Sequence, residues 1–166
     1  MIFFFYALVA LAGATIHLWR DKEPRSRRRT LEIFLVWWLA VTIGIAGIVG
    51  GLYHLLDGKG IAEEIGFTRG DGGFQTEVGF ADLAIGTIAL LGIWFRGNWW
   101  LAALIAAAIS LWGDAYGHVH QAIEFNNRDP DNFGPVIGAD LIYPFVGLVL
   151  YALWRRADTD SPRART

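Results

Sequence analysis

The apolar residues of this chain fall in long unbroken runs, and the charged residues are gathered between them. A helix needs about 20 mostly apolar residues to cross the hydrocarbon core of a bilayer. Five runs approach or exceed that length: 2–19, 31–56, 74–95, 99–123 and 136–154. None shows the alternation that a membrane barrel requires. Backbone groups in lipid must be paired within the chain, which leaves helices. The pattern therefore predicts an all-α polytopic membrane bundle with five transmembrane helices. A cleaved signal peptide carries its basic residues ahead of the apolar stretch. Here the basic cluster follows the first run, so that run reads as an uncleaved anchor. The alternative is a bundle of four spans, with the first run removed or lying elsewhere.

Composition narrows the class further. Of 166 residues 54% are hydrophobic and 18% charged, and none is Cys; soluble domains carry roughly 25% charged residues. A soluble single domain, a disordered chain and a disulfide scaffold are all poor fits. The length suits one domain, 1–156, followed by a polar tail, 157–166, expected to be disordered. The basic loop that begins Arg20-Asp-Lys-Glu-Pro-Arg reads as a topology determinant beside anionic lipid, not as a nucleic-acid patch.

Lys and Arg counts in the short loops orient such a bundle. Segments 20–30, the turn at Arg96 and the tail from 155 hold 11 basic residues, whereas segments 57–73 and 121–135 hold 3. This asymmetry places the N-terminus outside and the C-terminus in the cytoplasm of a bacterial inner membrane. Trp19, Trp37, Trp38, Trp94, Trp99, Trp100 and Trp154 fall at the inner ends of the runs, where aromatic belts sit. Trp112 alone lies deeper.

Ionisable groups in hydrocarbon cost about 2.5–3.5 kcal/mol each on insertion scales, and they normally face the bundle interior with a partner or a task. His54, Glu77, Asp82, Asp114, His118 and Asp140, with Tyr143, all fall in the outer half of their runs, and His120 at the rim. His17, beside Trp19 and Arg20, reads as an interfacial histidine. This one-sidedness, from chain positions as far apart as 54 and 140, is the main functional signal.

Helical spacing adds detail. Ala102, Ala106, Ser110, Asp114 and His118 recur every four residues and form one small, polar stripe, flanked by Gly113 and Gly117. Ala40, Gly44, Gly47, Gly51 and His54 form a second small stripe, suited to close approach of another helix. The two stripes are expected to face inward, against each other or against a partner in a homo-oligomer or larger complex. In the third run Glu77 and Asp82 lie about 140° apart around the helix. Glu77 is assigned to the main cluster, and Asp82 to a supporting or proton-path position. Pro144 removes a backbone donor from the fifth run, and Asn132-Phe-Gly-Pro135 forms the turn entering it.

Several chemistries fit. His54, Glu77, Asp114 and His118 supply two nitrogen and two oxygen donors, a set suited to zinc, iron, manganese or copper. Asp82, Asp140 and Tyr143 are then the catalytic or proton-handling groups of a membrane-embedded metalloenzyme. Haem b held by His54 and His118 is an alternative, against which Glu77 and Asp114 would set unpaired charge. A proton- or ion-handling site fits the same residues, and the absence of ionisable groups from the inner halves argues against a through-channel. A non-catalytic accessory subunit is the remaining alternative. The loops 57–73 and 121–135 read either as a lid over the cluster or as ordinary solvated loops.

Three motifs carry a resemblance. Thr76-Glu-Val-Gly-Phe-Ala-Asp82, Gly113-Asp-Ala-Tyr-Gly-His118 and Asp131-Asn-Phe-Gly-Pro135 resemble a family of small bacterial integral membrane proteins of unknown function. The resemblance implies a helical membrane protein and assigns no activity.

Overall fold

The computed structural model describes residues 2–67 and 73–159, with side chains over 4–67 and 74–157. Six helices follow one another: α1 (Ile2–Arg20), α2 (Arg27–Leu56), α3 (Gly58–Glu64), α4 (Gly73–Leu91), α5 (Asn98–Glu124) and α6 (Pro135–Thr159). No strand occurs among the described residues. The helices α2, α4, α5 and α6 are long and apolar enough to cross a membrane. The described part of α1, Phe4–Arg20, is apolar but shorter. The chain is a helical membrane bundle. The expected tail begins inside α6, which runs through Thr159, and residues 160–166 lie outside the described residues. Arg69 lies outside them as well.

Local chemistry sets the boundaries. Ser26 caps α2, its hydroxyl accepting from the Arg29 N–H at 3.1 Å, and Asp57 caps α3 through the Gly60 N–H at 3.2 Å. The helix α3 lies in what the sequence offers only as a loop, because seven residues with two glycines carry no helical signature. The third run ends at Leu91, four residues earlier than expected. The Gly92 carbonyl there accepts from the Trp100 indole N–H at 2.7 Å, tying the turn to α5.

Midway along α2, residues Leu39–Ile45 widen into a π turn. The cause is on the side chain: the Thr42 hydroxyl donates to the Trp38 carbonyl at 2.7 Å, competing with the helical N–H for that acceptor.

The two ends of the bundle differ. At one, which we term the basic end, the 20–26 loop and the 92–97 turn meet the start of α2 and the end of α6. Arg29 bonds Asp21 at 2.7 Å and Glu32 at 3.3 Å, and Arg96 also pairs with Glu32. In this half Leu35, Leu39, Ile43, Ala89, Trp100, Ala103, Leu104, Ala107, Tyr151 and Trp154 form one closed core. Trp100 and Trp154 pack edge to face with centroids 5.0 Å apart. A second core joins α1, α2 and α6 through Ala10, Trp38, Val41, Ala139 and Tyr143. Gly13 seats the Trp37 ring, whose N–H donates to His17 Nδ1 at 3.1 Å. His17 thus has its own partner, away from the other histidines.

The opposite end, the far end, is held by α3 and the 125–134 loop. The Asn127 amide donates to the Ile65 carbonyl at 2.7 Å across the two loops. Backbone N–H groups of Asn132 and Phe133 bond the Asp129 carbonyl at 2.9 and 2.8 Å, closing the expected turn before Pro135.

Candidate functional site

The far half is built from two helix pairs. The C-terminal part of α2 lies directly on α4, backbone against backbone. A Cβ at Gly51 would stand 2.7 Å from the Gly79 carbonyl oxygen, and one at Gly47 would stand 3.3 Å from Gly86 Cα. Glycine at these positions permits the approach. The Gly44-Gly47-Gly51 stripe therefore meets α4, not the small-residue stripe of α5. It is consumed within the chain, so the expected partner interface through that face is not available. The reason lies in α4, where Gln75, Gly79, Asp82 and Gly86 recur at helical spacing and match the α2 glycines.

This register decides which carboxylate of α4 faces inward. Asp82 lies on the glycine face, and its Oδ2 is 3.9 Å from His54 Nε2. Both side chains are about four-fifths buried, at 22% and 21% exposure. Glu77 lies on the other side of α4, exposed with Phe80, Ala81 and Ala84. The expected assignment is thus reversed: Asp82 joins the cluster and Glu77 does not.

The second pair is α5 with α6. In the basic half, Gly147 admits the Leu104 side chain. Farther out Pro144 lies within α6, and it lacks the N–H that would bond the Asp140 carbonyl. The Trp38 indole donates to the Tyr143 carbonyl at 2.9 Å, and the Trp112 indole to the Leu141 carbonyl at 3.3 Å. Tyr143 itself packs in the α1–α2–α6 core, its ring edge to face with Trp38 at 5.8 Å. It borders the cluster through its neighbour Asp140.

Between the pairs the far half is open. Asp114 shares a face of α5 with Ala107 and Trp100, one and two steps of seven residues away, and those two are fully buried. Asp114 is exposed. Gly113 and Gly117 have no neighbouring atom where a Cβ would stand, and neither does Gly138 on α6. The Asp114 carboxylate is within electrostatic range of His54 and His118, and of Asp82 and Asp140. One gap is therefore faced by residues of α2, α4, α5 and α6.

Each histidine at the gap is held by an amide. The buried Asn132 donates its Nδ2 hydrogens to the carbonyls of Asn127 at 3.1 Å and His118 at 3.3 Å. That fixes its amide, so Oδ1 accepts from His118 Nδ1 at 2.8 Å. Gln75, only 3% exposed, presents Oε1 to His54 Nδ1 at 2.7 Å. In both imidazoles the Nδ1 is engaged, and the Nε2 of His54 is the atom that meets Asp82. Sequence reading passed over these amides because neither ionises. Gln75 was traceable, as it lies two turns before Asp82 on the glycine face. His120 packs with Tyr116 and Phe125 at the rim and takes no part.

Asp140 is the most enclosed acid, 7% exposed, and its Oδ2 has no hydrogen-bond partner among the described residues. Among those residues no group of three or more His, Asp or Glu is arranged to hold a metal ion. The expected ligands His54, Glu77, Asp114 and His118 do not form one shell, with Glu77 facing away and the imidazoles anchored on opposite walls.

Such a site offers imidazole nitrogens poised beside carboxylates, in a gap lined by glycine. Imidazoles and carboxylates are groups that take up and release protons, and the half of the bundle beneath them is a closed apolar core. No curated protein and no solved structure matches the chain. A family model matches residues 1–160, and by it the chain belongs to a family of unknown function, DUF6790.

Proposed function

We propose that this protein is a proton-handling membrane protein, with a site that exchanges protons with one side of a bacterial cytoplasmic membrane. The carrying observation is the amide-held imidazole beside a carboxylate, Gln75, His54 and Asp82, on one wall of the gap, with a second amide-held imidazole, His118 on Asn132, on the other. Holding Nδ1 fixes the tautomer and aims Nε2 at a group that changes charge with it. The basic residues gathered at the opposite end support an outward-facing gap, with α1 as a fifth span and the N-terminus outside.

Nitrogen NMR on histidine-labelled protein in lipid nanodiscs tests this reading. Neutral His54 and His118 should both carry the hydrogen on Nδ1 and gain the second proton at Nε2 on acidification. His17, whose Nδ1 accepts from Trp37, should show the opposite tautomer. Asp82→Asn should change the His54 nitrogen signals, and Asp114→Asn those of His118. Imidazoles that stay unprotonated throughout, or carboxylate variants without effect, would overturn the reading. Zinc bound stoichiometrically at both Nε2 atoms would replace it with the metal site expected from spacing, and a Soret band would indicate haem b.

A further inference from the structure

We infer that the gap binds an organic ammonium entering from the far side, which competes there with protons. This rests on the proton-handling reading of the same site. Three carboxylates, Asp82, Asp114 and Asp140, arrive from three helices. Among the described residues no Lys or Arg stands in the far halves of α2, α4, α5 or α6 to balance them. A carboxylate enclosed without a partner, as Asp140 is, is costly, so the site calls for a positive group.

Asp140 points to a ligand independently of the acid count. Its side chain is 7% exposed and its Oδ2 is unpartnered among the described residues, while Asp114 and Asp82 lie within its electrostatic range. The oxygen is an acceptor held inside the bundle with nothing donating to it. A native bundle seldom keeps such an acceptor unsatisfied, because desolvation goes uncompensated.

The shape of the gap selects the kind of cation. A bare metal ion needs donors gathered in one tight shell, and no such trio is present among the described residues. An ammonium donates up to three directional bonds to acceptors spread around it, at about 2.7–2.9 Å from each oxygen. Acids on separate helices suit that geometry. The open positions at Gly113 and Gly117 leave room beside Asp114 for more than a proton. Electrically the exchange balances: an ammonium that pairs with a carboxylic acid displaces its proton to the medium.

Titration of the full chain in phosphatidylcholine nanodiscs with hexylammonium chloride tests the inference, read by the His54 and His118 nitrogen signals and by calorimetry in two buffers of different ionisation enthalpy. Saturable binding with proton release is expected, and hexanol and sodium chloride should produce neither. Asp140→Asn should weaken binding about tenfold or more, the loss of a charge-assisted hydrogen bond. Gly117→Leu, at a position with open space, should obstruct the gap to a similar degree without needing Asp140 to be altered. Hexanol binding as well as the ammonium, sodium displacing it, or both variants binding normally would each overturn the inference. If His54 and His118 titrate as expected but hexylammonium does not bind, only the ammonium falls. If they fail to titrate, the proton site falls as well.

Discussion

Ala107 and Asp114 stand on one face of α5, two turns apart, in opposite surroundings. Ala107 is fully enclosed by α2, α4 and α6, whereas Asp114 is exposed in the gap between two helix pairs. The basic half is filled by Trp100, Trp154 and aliphatic side chains, so helices converge there around bulk. The far half is lined by Gly50, Gly113, Gly117 and Gly138, so backbones either touch, as α2 and α4 do, or leave space, as α5 does. Small residues thus have two opposite uses in one bundle. Which use applies depends on whether the facing helix also offers glycine. Gly51 meets Gly79, while Gly117 meets nothing within 4 Å.

The sharpest way to break this contrast is at the closed half. Trp100→Ala removes a fully buried indole that bonds the Gly92 carbonyl and packs on Trp154. It should cost about 3–5 kcal/mol in thermal or denaturant unfolding in detergent. Gly51→Ala forces a methyl to 2.7 Å from the Gly79 carbonyl oxygen and should cost about 1–3 kcal/mol in the same measurement. Asn132→Ala strips the His118 Nδ1 of its acceptor and leaves two carbonyls without their donor. About 1–2 kcal/mol of stability should be lost, and the His118 tautomer should become mixed by nitrogen NMR.

A smaller effect is confined to acid. Arg29 donates to Asp21 and holds its carboxyl below the usual carboxylate range. A depressed value means that the pair stabilises the fold above the ordinary carboxylate pKa of about 3.9 and that this contribution is lost as pH falls through the lowered value. The gap in melting temperature between the parent protein and Asp21→Asn should therefore be widest near neutral pH and close in strong acid. Smallest of all is Gly117→Ala, which should leave stability unharmed because its methyl meets open space and alanine favours helix. The pairing of Gly51→Ala with Gly117→Ala sets one substitution in two environments.

Much of this was legible in the sequence. The long apolar runs marked every spanning helix within a few residues, because periodicity and length are local properties. The one-sided band of His54, Asp82, Asp114, His118 and Asp140 was also legible, since depth along a helix follows from residue number. Which acid of α4 faces inward was written in Gly79 and Gly86, which share the face of Asp82. Assigning Glu77 to the cluster gave that face too little weight. The pairing of the α2 stripe with α4 was not legible from either stripe alone, because two helices offered small residues and only tertiary packing chose between them. The amide anchors were missed for a different reason: Gln75 and Asn132 are informative only once the histidine that each one faces is known.

The absence of cysteine from the chain allows the open far half to be tested directly. Single cysteines at positions 107, 109, 114 and 117 would be exposed to a charged, membrane-impermeant thiol reagent applied from either side of oriented vesicles. Position 109 is exposed on the outside of the bundle and 107 lies in the closed core. Labelling at 114 and 117 from the far side alone, with 107 and 109 protected, is the expected result. Protection of 114 and 117 from both sides, or their labelling from the basic side, would contradict an outward-open polar gap over a closed core.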